Sequence, residues 1–173
     1  LICKKNGVKF LVNDDPFLAK KLDADGCHLG QKDMSISNAR KIVGNKIVFP
    51  KISVGATGNV LMAAVLAEGD TEIHNAAAEP EIQQLCLLLN QMGAKISGIG
   101  TNILKIQGVE NLGGVDSIKV IPDRIEAGTF LIAVAATGGR VRLNNVEPKH
   151  MESVTSLLKQ SNIDIEIEKD SIL

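Results

Sequence analysis

The chain repeats itself, and an internal repeat limits the available architectures more than any single motif does. Periodicity and turn residues predict a helix over residues 56–67, a turn at Gly69, a strand over 71–75, a helix opened by Glu79-Pro80 and running to residue 92, and a strand over 95–99. The order returns as a helix over 127–136, a turn at Gly138-Gly139, a strand over 140–144, a helix opened by Glu147-Pro148 and running to residue 160, and a strand over 164–168. Aligning Asn75 with Asn145 sets the period at about 70 residues. Further strands are expected at 103–107 and 117–120, with turns at Gly100-Thr101 and Gly113-Gly114. Each copy alternates strands and helices and can bury a helix face on its own sheet. The run LMAAVLA in the first helix is apolar enough to predict burial on most sides.

Upstream of the repeat the pattern is also strand and helix in alternation. Strands are expected at 9–13 and 26–29, a helix with proline in its first turn at 16–22, and a helix capped by Ser35 or Ser37 that stops at Gly44-Asn45. Short turns between them give βαβα order and parallel strands. Asp14 follows the first strand and Asp33 the second, so both carboxylates belong to one C-terminal edge, where α/β sites collect. With Asn13 and Gln31 beside them they are candidate oxygen ligands for Mg²⁺ and a diphosphate; the alternative is that these aspartates only cap helices and end strands.

The second candidate site lies in FPKISVGATGNVLMAAVLA, residues 49–67. A strand turns at Ser53-Val54-Gly55 and enters a helix, which aims unpaired N–H groups at one spot and suits a phosphate or another anion. Lys51 adds a mobile positive charge. A turn that binds nothing is the competing reading.

Both regions carry resemblances. KISVGAT, then LMAAVLAEGDTEIHNAAAEPEI, then IPDRIEAGTF resemble, in order and spacing, the enolpyruvyl transferases that act on UDP-N-acetylglucosamine in bacterial cell-wall synthesis. This resemblance covers residues 49–173. It implies an inverted α/β barrel of repeated βαβαββ units with helices inside, of which residues 48–122 form one unit and 123–173 a second, truncated one. It also implies transfer of the enolpyruvyl group of phosphoenolpyruvate to the sugar 3-hydroxyl, with no cofactor required. In it Lys51, Ser53, Val54 and Gly55 match the segment contacting the uridine diphosphate, and Glu79 matches a carboxylate bordering the sugar and enolpyruvyl site. Asp123 and Arg124 match the crossover between domains and join Glu79 as catalytic candidates. For Glu79 the alternative is an acid stabilised by the dipole at a helix N-terminus.

VNDDPFLAKKLDADGCHLGQKDM with ARKIVGNKI resembles thiamine phosphate synthase, a (β/α)₈ barrel family, and implies that residues 1–47 are a βαβα fragment of that barrel. Asp14 and Asp33 then match the family's magnesium ligands and Asn13 its I-N-D-R asparagine, while Asp15 stands where that family has arginine. The expected architecture is therefore α/β, a partial inverted barrel preceded by a barrel fragment, joined near residues 47–49 as in a chimera. Against the enolpyruvyl transferase pattern, Ala78 replaces the arginine of A-R-E-P-E and Gly58 the residue before asparagine in G-A-T-E-N. None of Cys3, Cys27 and Cys86 stands where that family has its cysteine acid.

Other classes are excluded on chemistry. The cysteines have no C-x-x-C spacing, so no disulfide framework or zinc site is indicated, and Cys27 and Cys86 read as buried, inert thiols. A net charge of -1 without a basic block, and only 2% aromatic residues, argue against nucleic acid. No apolar run reaches the roughly 18 residues that span a bilayer and no secretory signal is evident, so a cytoplasmic location is expected. The expected partners are UDP-N-acetylglucosamine and phosphoenolpyruvate, with self-association through unpaired sheet edges. Three functions stay open at this point: a partial enolpyruvyl transferase inactive by itself, a thiamine phosphate synthase fragment, and a non-catalytic phosphate or nucleotide-sugar binding module.

Overall fold

A computed structural model describes residues 2–29, 33–44 and 46–173, apart from the side chains of residues 36 and 37. Gln31, Asn45 and the Ser37 hydroxyl, named above, lie outside what is described. The chain divides into two compact units, Leu1–Ile118 and Lys119–Leu173.

The first unit opens with a helical turn, α1 (Ile2–Lys5), and then follows the expected order: β1 (Leu11–Asn13), α2 (Pro16–Lys21), β2 (Gly26–His28), α3 (Ile36–Val43) and β3 (Lys46–Val48). Asp15 caps α2 by accepting the Leu18 N–H at 2.9 Å, and Pro16 occupies the first helical position, where its missing N–H costs nothing. Of the two serines, Ser35 is the cap of α3, accepting the Asn38 N–H at 3.4 Å. β1 and β2 pair in parallel as a sheet of their own, with Val12 opposite Cys27.

β3 then begins a complete βαβαββ unit with α4 (Val54–Ala64), β4 (Asp70–His74), α5 (Pro80–Gln91), β5 (Lys95–Ser97) and β6 (Ile103–Gln107). Its four strands run in the order β3-β4-β6-β5, the first pair parallel and the others antiparallel. The two helices cover one face. α4 turns Thr57, Leu61 and Ala64 inward and α5 turns Ile82, Cys86 and Leu89 inward, each set at helical spacing, onto Ile73, Ile96, Leu104 and Ile106. Asn90 ties the end of α5 to β5 through bonds of 2.9 and 3.0 Å to the Ile96 backbone. At the far end of β6 the Gly108 N–H donates to Gly69 O at 2.9 Å, and a Cβ at position 108 would fall 1.6 Å from Ala67 O, so only glycine fits.

The second unit holds α6 (Arg124–Thr137), β7 (Leu143–Asn144), a 3-10 turn (Pro148–Met151), α7 (Glu152–Gln160) and β8 (Ser171–Ile172). β7 pairs antiparallel with β8, as β4 does with β6. Its core is small: Ala127, Leu131, Val146, Met151 and Ile172.

Four expectations are corrected. Residues 117–120 form no strand; all four are exposed and, among the described residues, no strand pairs with them. Residues 164–168 supply only one bridge, Ile167 to Ile172, and the tail of that run closes a hairpin through bonds between Glu166 and Leu173. The run LMAAVLA buries one face rather than most of its surface, since Met62 on α4 and Leu66 just past its end are about half exposed. Cys86 is fully buried as expected, and burial pushes its thiol up to about 11, but Cys27 is only half-buried. Among the described residues no helix is long and apolar enough to cross a membrane.

Candidate functional site

Because β3 and β4 are parallel and α4 crosses between them, the loops that follow both strands leave the sheet at the same edge. Those loops, residues 49–53 and 75–79, lead into α4 and α5, so both helix N-termini emerge there. The loops are stitched together by named bonds. The Phe49 N–H donates to His74 O at 3.0 Å, and the Asn75 amide donates to Phe49 O at 2.8 Å from a residue held at φ 56°. Asparagine is among the few side chains that adopt this left-handed backbone readily.

Thr57 is the hub of the edge. Fully buried, its hydroxyl donates to Ser53 O at 2.8 Å and accepts the Ala77 N–H at 2.9 Å, coupling the first turn of α4 to the loop before α5. Ser53 caps α4 by accepting the Ala56 N–H at 3.2 Å, which leaves the N–H groups of Val54 and Gly55 ahead of the first intrahelical bond. Lys51 is exposed on the same loop, and among the described residues no ion pair engages it.

Glu79 sits at the N-cap of α5 but does not cap with its side chain. One carboxylate oxygen, Oε2, is buried and has no hydrogen-bond partner among the described residues. A buried carboxylate oxygen without a donor is costly, so the helix-dipole role alone does not account for it. The structure thus brings Lys51, Ser53, Val54, Gly55 and Glu79 to one edge of the first unit. Asp123 and Arg124 belong to the second unit, where Asp123 caps α6 by accepting the N–H groups of Ile125 (2.8 Å) and Glu126 (3.0 Å).

The other candidate pair also meets. Asp14 leaves β1 in a left-handed conformation (φ 65°), and a hydrogen bond with the Asp33 carboxyl raises its pKa above the ordinary aspartate range. The two carboxyls therefore stand within hydrogen-bonding reach of each other. No group of three or more His, Cys, Asp or Glu among the described residues is placed to hold a metal ion.

Sequence reasoning missed the hub of this edge and saw its neighbour. Thr57 gave no signal, because a threonine inside a helix looks the same whether its hydroxyl is structural or exposed. Asn75 did signal itself, as the residue that anchors the repeat.

The EPSP synthase (3-phosphoshikimate 1-carboxyvinyltransferase) family model matches residues 22–173. The UDP-N-acetylglucosamine 1-carboxyvinyltransferase of Clostridium botulinum is 46% identical over 154 residues, covering 88% of this chain and 37% of the relative. Enzyme 2 of the same name from Bacillus subtilis is 45% identical over 168 residues, covering 86% of this chain and 39% of its own. The chain therefore spans well under half the length of these curated relatives. Among solved structures, the enolpyruvyl transferase NikO from Streptomyces tendae aligns with a TM-score of 0.59 at 21% identity, over 69% of this chain and 29% of that one, a likeness of fold. The family match begins upstream of the junction expected near residues 47–49, and none of these matches supports a thiamine phosphate synthase segment or a chimera.

Proposed function

The chain belongs to the EPSP synthase family, and on that premise we propose that it forms part of an enolpyruvyl transferase acting on UDP-N-acetylglucosamine in peptidoglycan precursor synthesis. The observation that carries this reading is the convergence of the α4 and α5 N-termini on one sheet edge, with a buried, unpartnered Glu79 oxygen beside them. The N–H groups of Val54 and Gly55, the Ser53 turn and the Lys51 ammonium bind the diphosphate, where dipole and charge act in the same direction. Glu79 borders the sugar and accepts from it a hydrogen bond that none of the described residues supplies. Asp123 and Arg124 enter the proposed catalytic machinery from the sequence resemblance alone.

In the proposed reaction the sugar 3-hydroxyl gives its proton to a base as its oxygen bonds to C2 of phosphoenolpyruvate, and a general acid delivers a proton to the methylene carbon. Loss of a proton from that carbon then expels inorganic phosphate and leaves the enol ether. Such chemistry needs a general acid worth about 10² to 10⁴-fold and cationic stabilisers worth about 10² to 10³-fold each. None of the three cysteines takes the family's acid position, so the chain by itself binds the nucleotide sugar without turning over phosphoenolpyruvate. Titration calorimetry should give UDP-N-acetylglucosamine binding no tighter than about millimolar, weakened further by Lys51→Ala. Micromolar binding unaffected by that substitution, or phosphate release that needs both substrates and is lost in Glu79→Gln, would overturn the reading.

The meeting of Asp14 and Asp33 favours a second, separate reading in which they hold Mg²⁺ weakly with water completing its shell. Binding this weak should leave the melting temperature unmoved by magnesium, and a rise that Asp33→Asn abolishes would show that the pair holds the ion tightly. Copies of the chain would also associate through the outer edge of β5, and a sedimentation coefficient independent of concentration would count against that.

A further inference from the structure

Away from both edges, the first unit contains a cleft of about 530 Å³ that α2, α3 and the start of β3 enclose. Its wall carries Lys4, Lys20, Arg40, Lys41 and Lys46 against only Asp23 and Asp25. Both acids are already engaged: Asp23 with Lys4, and Asp25 with Lys9 at 3.1 Å and the Phe10 N–H at 3.0 Å. Lys20, Arg40, Lys41 and Lys46 are left, and among the described residues none of them is ion-paired. Four uncompensated cations around one small cleft are notable in a chain of net charge -1.

Lys20 and Arg40 with Lys41 stand in the last turns of α2 and α3, where cations complement the helix dipole. That accounts for exposed lysines and not for Arg40. Its Nε is buried without a hydrogen-bond partner, and its guanidinium loses hydration to burial with no carboxylate beside it in return. Arg40 also lines a neighbouring cavity of about 980 Å³ whose wall includes Glu68 and Asp70, yet neither acid pairs with it. A planar guanidinium with free donors, set among lysines, matches the oxygens of a tetrahedral oxyanion.

We propose that the cleft between α2 and α3 is a binding site for a polyvalent phosphate-type anion, centred on Arg40 with Lys20, Lys41 and Lys46 around it. It is distinct from the α4 edge, and the anion would brace the βαβα segment by linking α2, α3 and β3. The cleft is large enough for a pyrophosphate group, and each of its acids already has a lysine partner.

The test uses the whole 173-residue chain with inorganic pyrophosphate as the probe, followed by thermal melting and titration calorimetry, with malonate as a carboxylate control. Pyrophosphate should raise the melting temperature more than malonate does, and the effect should shrink with added salt. Arg40→Gln should weaken binding at least about tenfold, as loss of a charge-assisted contact does, and Lys46→Gln, at an exposed position where folding is not at stake, should weaken it less. Lys159→Ala, at an exposed position in the second unit, should leave it unchanged. Absence of binding to the parent chain, equal binding by the Arg40 and Lys46 variants, or loss in Lys51→Ala with retention in Arg40→Gln would each overturn the proposal. The last result would place the anion at the α4 edge.

Discussion

The two copies of the repeat differ in how much sheet each helix pair has to rest on. In the first, α4 and α5 lie on four strands and close a core that includes Leu61, Ile73, Cys86, Leu104 and Ile106, each nearly or wholly removed from water. In the second, α6 and α7 have only the two-residue strands β7 and β8, and the core is five buried residues. The local sequence logic is the same in both: glycine after the first helix, asparagine at the strand end in a left-handed conformation (φ 56° at Asn75, φ 58° at Asn145), then Glu-Pro. Equivalent local instructions thus produce unequal structures, because burial depends on strands that local sequence does not contain.

The largest expected contrast is between Leu61 and Leu131, which occupy equivalent positions on α4 and α6. Leu61→Ala should cost about 4 kcal/mol and Leu131→Ala about 2 kcal/mol, within the range for buried leucines and in order of their packing. Hydrogen exchange, read separately for each unit, checks this, and equal costs would mean that the second core is closed more completely than its five residues indicate. Thr57→Val should come next. It strips the Ala77 N–H of its partner, for about 1–3 kcal/mol. Thr155→Val in α7 breaks only bonds to carbonyls of its own helix and orphans no N–H, so its cost should stay below about 1 kcal/mol in denaturant melts.

The asparagines sharpen the comparison further. Asn75→Ala and Asn145→Ala both force alanine into the left-handed region, at about 1–2 kcal/mol. Only the first also loses a side-chain bond, to Phe49 O, so it should exceed the second by about 1 kcal/mol.

The smallest effect is of pH, and it has opposite signs in two places. Arg142, at 2.8 Å, and the Ser171 hydroxyl hold Glu168 below its usual range, so this contribution is present above the unfolded pKa and fades as pH falls through the depressed folded value. Asp14 is raised by its bond with Asp33, so that contribution is present below the unfolded pKa and fades as pH rises through the elevated folded value. Amide exchange followed from neutral to acid pH should therefore loosen the 166–173 hairpin while tightening the β1 end, and movement in the same direction at both would refute the assignments.

The sequence made the first copy of the repeat legible almost residue by residue, because proline at 80, serine at 53 and the apolar spacing of α5 all point to the same elements. It misread residues 117–120 and 164–168 for one reason. A short alternating run states that a strand is allowed, and whether a partner lies beside it is decided elsewhere in the chain. The candidate site was legible in its edge, since Lys51, Ser53 and Glu79 follow parallel strands, and illegible in its hub. A buried threonine hydroxyl such as Thr57 has no periodic signature, and nor does the isolation of Arg40.

Gly108 has a consequence of a historical kind. With a Cβ 1.6 Å from Ala67 O, no other residue can enter that position until the 67–69 turn has first moved. Natural variation or laboratory evolution at residue 108 should therefore be closed to single steps and open only through an earlier change in the turn, so that the order of mutations matters there. A saturation library at this position alone should return glycine, and the same library built on a chain with a remodelled 67–69 turn should return alternatives.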